Sequence, residues 1–254
     1  MLAGSICNQP RYCTGFDMKV TMDISNFDAV VFDLDGVLID SRPQMEFVFR
    51  ECYRQFVDGG EPPVQEFFHR MGMPLPEILR DLGLPSDMLQ TYRKLSRQLY
   101  KQIRVVHGAY STLELIKAMG MPIGLMTGKD RERTVEILGH FGLKHFFSAT
   151  VCGDDHYPGK PAPDGLLALA AEFGVAPEKT VIVGDSVLDV KCGLAAGALT
   201  IAATWGFESK ERMSSCGAHK CLSSFEELDS WLLSCGVHLA DTTSLYSQTG
   251  ISES

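Results

Sequence analysis

The chain lacks any apolar run near the roughly 20 residues that cross a bilayer, so it offers no candidate membrane span. None of its eight cysteines forms a C-x-x-C pair, and they are spread from Cys7 to Cys235, which excludes a disulfide scaffold and a thioredoxin-like redox motif. Reduced, mostly buried thiols and a cytoplasmic location are the expectation. Positive charge is in deficit: 23 Lys and Arg stand against 32 Asp and Glu, a net charge of −9. That sign disfavours nucleic acid and anionic membranes as partners. There is no H-E-x-x-H, no Cys-x5-Arg, no G-x-S-x-G and no G-x-G-x-x-G in the sequence. Zinc-protease, cysteine-phosphatase, serine-hydrolase and dinucleotide chemistries therefore lack their key residues.

With 254 residues, the chain is long enough for one large domain or a domain with a smaller companion. Residues 1–26 and 236–254 read as loose tails, with no secretory h-region at the front. Between them, short β-rich runs at Ala29 to Phe32, Pro122 to Met126, Ala149 to Cys152, Thr180 to Val183 and Leu199 to Ala202 alternate with helical patterns. The helices read as Ser111 to Met119, Arg131 to Phe141, Pro163 to Phe173 and Val187 to Ala196, each followed by a glycine. This rhythm predicts an α/β fold, a parallel sheet flanked by helices. One stretch breaks it: residues 41–104 carry helical periodicity without a strand. We read them as an inserted, all-helical cap on a core made of 27–40 and 105–235. Within the insertion, Met45, Phe47, Cys52, Tyr53 and Phe56 are expected as packed core. The insertion carries ten Lys and Arg against eight Asp and Glu, which mildly favours an anionic ligand beneath it.

The first strand delivers Asp33-Leu34-Asp35-Gly36, and a later one delivers Gly184-Asp185-Ser186-Val187-Leu188-Asp189. Strand carboxyl ends are where an open parallel sheet presents its ligand crevice. If the two strands are neighbours, Asp33, Asp35, Asp185 and Asp189 converge. Two like charges 4 Å apart repel by about 4 kcal/mol at an effective dielectric of 20. A hard divalent cation with oxygen ligands relieves that, and Mg²⁺ suits a site that leaves positions for water and phosphate oxygens. An EF-hand is excluded because the glycine falls at position four of the loop. A third strand ends at Thr127-Gly128-Lys129, whose hydroxyl and backbone N–H groups suit phosphate oxygens. Lys160 follows in Gly159-Lys160-Pro161. The segment from Gly153 to Lys160 is not a P-loop, having five residues between its glycines and Pro161 where a hydroxyl is required.

In this order and spacing, Asp33-x-Asp35-Gly-Val, Thr127, Lys160-Pro and Gly184-Asp185-x-x-x-Asp189 resemble the haloacid-dehalogenase-like hydrolase superfamily. The likeness runs from about Phe27 to Leu233. The insertion directly after the first motif is similar to the phosphoglycolate-phosphatase-like branch with a small helical cap, and so implies a Rossmann-like core. Asp33 to Pro43 with Thr127 to Arg133 also resembles phosphatases associated with aminohydroxybenzoate biosynthesis. The resemblance implies Asp33 as nucleophile and Asp35 as acid/base. It implies Asp33, the Asp35 backbone carbonyl and Asp185 as ligands of Mg²⁺, and Asp189 as their support. Thr127, Gly128 and Lys160 would bind the phosphoryl oxygens. The activity implied is hydrolysis of a small phosphorylated metabolite by a monomer or homodimer. A β-phosphoglucomutase-like phosphomutase is the alternative within the family, and a phosphoacceptor signalling domain the one outside it. Asp35 argues against dehalogenation, in which no leaving group needs a proton. Gly128-Lys129 departs from the small polar residue common after the family's second motif, so Lys129 is either a substrate contact or a solvated helix start. In the cap, Arg70 is the expected substrate contact, while Arg93 is expected on a solvated face.

Overall fold

The computed structural model describes residues 26–235. The two tails expected at 1–26 and 236–254 lie, apart from Asn26, outside the described residues. From the amino end the elements are β1 (Ala29–Phe32), β2 (Ile39–Asp40), α1 (Arg42–Phe56), α2 (Val64–Phe68), α3 (Leu75–Asp81), α4 (Met88–Gln98) and β3 (Arg104–Val105). Then come α5 (Ala109–Ala118), β4 (Ile123–Met126), α6 (Arg131–His140), β5 (Ala149–Val151), α7 (Asp164–Phe173) and β6 (Thr180–Gly184). The chain continues through α8 (Val187–Ala196), β7 (Leu199–Ala203), α9 (Lys210–Ser215), β8 (Lys220–Leu222) and α10 (Phe225–Ser234).

Six strands form one parallel sheet in the order β5-β4-β1-β6-β7-β8. Counted along the chain within that sheet, this is the 3-2-1-4-5-6 order of a doubly wound Rossmann-like fold, with the reversal between β1 and β6. Every residue of β1, β4, β6 and β7 is buried, as central parallel strands covered on both faces require. Alternation along β1 divides the core in two. Val30 and Phe32 pack with α5 and α10 residues such as Leu113 and Leu228, while Val31 packs with Leu166 and Leu169 of α7 on the opposite face.

The short ribbon formed by β2 and β3 carries the chain out of the sheet and back, pairing Asp40 antiparallel with Arg104. Between them, α1 to α4 enclose their own core. Its buried stripe on α1 is Met45, Val48, Phe49 and Cys52, the i, i+3, i+4, i+7 set of one helical face. Phe47, expected inside, is 49% exposed because it falls off that stripe. Phe49 stacks on Phe67 with ring centroids 4.2 Å apart, and each fully buried Phe contributes roughly 1.5–3 kcal/mol. All six described cysteines are free thiols, three of them buried. No helix among the described residues is long and apolar enough to cross a membrane.

Candidate active site

Three adjacent strands end at one place. Asp33 follows β1, Thr127 follows β4 and Asp185 closes β6, with the Asp33 N–H donating to Val183 O at 3.0 Å and the Thr127 N–H to Val151 O at 2.9 Å. The ladders of β1 and β4 thus continue one residue past their strands, and with Asp185 next after β6 the three side chains sit at the sheet's reversal point. Carboxylate oxygens of Asp33, Asp185 and Asp189 lie within 4.8 Å of one another, and the three residues are buried. The Asp35 carboxylate lies outside this cluster, so three of the four expected acids meet. Its Oδ1 accepts from Ser41 Oγ at 2.5 Å, and its Oδ2 pairs with Lys129 Nζ at 3.0 Å.

Lys160 enters from the loop before α7 and is 2% exposed. Its Nζ sits 2.7 Å from Asp33 Oδ1 and 2.5 Å from Asp189 Oδ1. Asp189 also forms the capping box that starts α8, with the Ser186 N–H donating to its Oδ2 at 3.0 Å and the Asp189 N–H donating to Ser186 Oγ at 3.1 Å; the Ser186 hydroxyl adds a third bond to the same Oδ2 at 2.5 Å. The sequence Asp-Ser-x-x-Asp therefore serves twice, as a helix cap and as a mount for the lysine. Asp185 is fixed by the Phe207 N–H, which donates to its Oδ2 at 2.6 Å. Gly36, at φ +86°, is required beside it, since a Cβ there would stand 2.0 Å from Asp185 Oδ2.

The electrostatics follow from burying three acids with one base. Burial, opposed by Lys160 and reinforced by the charge of Asp189, pushes the Asp33 carboxyl up to about 7. Burial, then the charges of Asp33 and Asp189, hold Asp185 well above the carboxylate range. Burial alone would lower the Lys160 ammonium, but Asp189 and Asp33 outweigh it and leave its pKa above the usual lysine value. A buried cluster of hard oxygens with a negative excess is the donor set a divalent cation satisfies. The residues present fit such an ion.

Residues 30–203, more than half of the chain, match the family model described as haloacid dehalogenase-like hydrolase. The chain belongs to that family. Curated relatives of this hydrolase include the phosphorylated carbohydrates phosphatase of Thermotoga maritima, 30% identical over 181 residues, which are 67% of this chain and 82% of that protein. The phosphoglycolate phosphatase of Escherichia coli is 28% identical over 211 residues, covering 72% and 83% of the two chains. The solved structure of a hydrolase of this family from Deinococcus radiodurans, with bound phosphate and sodium, aligns with a TM-score of 0.64 at 27% identity over 84% of this chain and 98% of that one. The hydrolase thus belongs with the phosphatases, in the phosphoglycolate-phosphatase-like branch.

In this hydrolase the cap closes directly on the site. Gly128 packs so tightly under the cap that a Cβ there would stand 2.4 Å from Met73 O and 2.7 Å from Gly72 O. Between cap and core a cavity opens from Asp33 and Asp35, lined also by Tyr92, Arg93, Lys129 and Arg133. Arg70 is not among its lining residues. It follows the end of α2, and its Nη1 turns back to donate to Glu66 O at 2.8 Å. Arg93, read from sequence as a solvated face, lines the cavity instead and donates from Nε to Asp130 Oδ2 at 3.1 Å. Tyr92 and Arg133 escaped the sequence reading. The signal that would have found them is charge complementarity between α4 and α6: Arg93 and Arg97 at i, i+4 face Asp130, Glu132 and Glu136.

Proposed function

We propose that the protein is a Mg²⁺-dependent phosphatase that hydrolyses a small phosphomonoester through an aspartyl-phosphate on Asp33. The observation that carries this reading is the Asp33–Lys160–Asp189 chain of contacts, 2.7 and 2.5 Å long, at the reversal point of the sheet beside Asp185. Asp33, Asp185 and the Asp35 carbonyl would hold the cation, which supplies charge neutralisation for the nucleophile and the phosphoryl oxygens.

A carboxylate oxygen of Asp33 forms the bond to phosphorus as the bond from phosphorus to the leaving oxygen breaks. Asp35 gives its proton to that oxygen, releasing the alcohol. It then takes a proton from water as the water oxygen bonds to phosphorus and the Asp33–phosphorus bond breaks. Lys160, the Thr127 hydroxyl and the Gly128 N–H face the phosphoryl oxygens, and Lys160 is kept charged for this by Asp189. Lys129 holds the Asp35 carboxylate toward the cavity. Arg70 has no part in this assignment. The free thiols fit a reducing compartment, and we place the protein in the cytoplasm.

The test is release of inorganic phosphate with and without Mg²⁺ by the wild type and by Asp33→Asn, together with beryllofluoride soaking. Loss of turnover in the variant and beryllium bound to Asp33 support the reading. Ordinary turnover by Asp33→Asn, or conversion of a hexose 1-phosphate to its isomer without free phosphate, would overturn it.

A further inference from the structure

The cavity above Asp33 and Asp35 has a chemistry of its own, and on the phosphatase reading it receives the part of the ester that leaves. Its cap side is apolar: Phe67, Met71, Ile78 and Tyr92 line it and are between 0 and 6% exposed. Phe67 is braced by the stacked ring of Phe49 and by Tyr92 at 6.0 Å, so the wall is set before anything binds.

Four cationic side chains line the same space, and each already faces an acid of this chain. Lys129 pairs with Asp35 at 3.0 Å, Arg93 with Asp130 at 3.1 Å, Arg133 with Glu136 at 3.1 Å and Arg97 with Glu132 and Glu136. The rim is therefore neutralised from within. A carboxylate on the leaving group would have to displace one of these partners or shed its hydration against the apolar wall, and both are costly. A sugar would set hydroxyls against Phe67, Met71 and Ile78, which offer them no partner, while the charged groups of the rim are already paired.

One polar group on that wall is unsatisfied. Tyr92 Oη is buried and its hydroxyl proton has no acceptor among the described residues; the Ser96 hydroxyl, one turn on in α4, is near enough to favour the phenolate but leaves that proton unplaced. Burial, and then the Asp35 charge, raise the phenol above its usual range, so it remains a proton donor. A buried donor left open beside an otherwise apolar wall matches a ligand acceptor.

We infer that the cavity is a leaving-group subsite for an uncharged, largely apolar alcohol, aryl or alkyl, carrying one oxygen acceptor that takes a hydrogen bond from Tyr92 Oη. Esters of this class are favoured over those of hydroxy acids and sugars.

The experiment measures kcat/KM for phosphate release by the full chain with Mg²⁺. The substrates are benzyl phosphate, its three ring-methoxy isomers, glucose 6-phosphate and 2-phosphoglycolate. The benzyl esters are expected to exceed the other two by at least tenfold. At least one methoxy isomer should exceed benzyl phosphate several-fold, and in Tyr92→Phe that ratio should fall to about one, with circular dichroism and melting confirming the fold. A preference for phosphoglycolate or glucose 6-phosphate, or a methoxy ratio unmoved by Tyr92→Phe, overturns the inference. Release from those two alone leaves the phosphatase reading standing, whereas no phosphate from any ester sinks both.

Discussion

Removing the cation should make the protein's stability fall as pH rises, through Asp33. Its carboxyl is pushed from 3.8 to about 7 by burial, against the pull of Lys160. In the unfolded chain the proton leaves near 3.8, whereas the folded, metal-free site keeps it until about 7. Between those values the folded state binds more protons, so stability decreases with rising pH and levels off above the folded value. About three pKa units at 1.36 kcal/mol each give an upper bound of about 4 kcal/mol. Asp33→Asn is the reference, because the amide is neutral throughout and keeps the shape. In EDTA, the variant should gain on the wild type by up to about 4 kcal/mol between pH 4 and 7. For a chain of this size that is roughly 2–4 °C in melting temperature per kcal/mol. With millimolar Mg²⁺ at pH 8 the order should reverse, since the cation binds the wild-type carboxylate and stabilises only the folded state. Urea unfolding across that pH range, with and without EDTA, measures both curves. A wild-type to variant difference that stays constant from pH 4 to 7 in EDTA would refute the reasoning.

Lys160→Ala leaves Asp33 and Asp189 buried and facing each other, so phosphate release should vanish and stability fall by about 3–5 kcal/mol, read by urea unfolding. Tyr92→Phe should stabilise the ligand-free protein by about 1 kcal/mol, read as a rise in melting temperature, because a buried unsatisfied hydroxyl disappears. Arg93→Ala, cutting a partly exposed pair with Asp130, should cost under about 1 kcal/mol in thermal unfolding. Gly128→Ala sets a methyl against Met73 O, so the cap cannot seat; turnover should drop at least tenfold while far-ultraviolet circular dichroism stays that of the wild type.

The sheet was legible because its strands are short, β-rich runs, with β1, β4, β6 and β7 buried throughout and followed by an acid or a hydroxyl: β1, β4, β5, β6 and β7 all lie within one residue of the periodicity. The ribbon strands β2 and β3 are two residues each, too short for any alternation to register, and β8, Lys220–Leu222, has only Leu222 buried and so offers no apolar run. Asp33, Asp185, Asp189, Lys160 and Thr127 could be read because strand ends bring them together whatever the cap does. Asp35 does not join the three-acid cluster because Ser41 and Lys129 hold its carboxylate on the cavity side, which sequence spacing does not show. The cavity residues were hidden for a related reason. Tyr92, Arg93 and Arg133 meet only when α4 lies against α6, and no local pattern encodes the angle at which an insertion folds back. Phe47 was read on or near the α1 stripe and falls just off it, while Arg70 was read as a loop contact and its guanidinium instead turns back to Glu66 O.

The ribbon of β2 and β3 has a consequence for how such enzymes diversify. Paired strands lie about 5 Å apart, so the helical insert leaves and rejoins the sheet at nearly one point, Asp40 beside Arg104. A module tethered there can be exchanged or reshaped without shifting the register of any central strand. New substrates can then be recruited by grafting at a single seam, while the phosphoryl-handling machinery below is inherited unaltered.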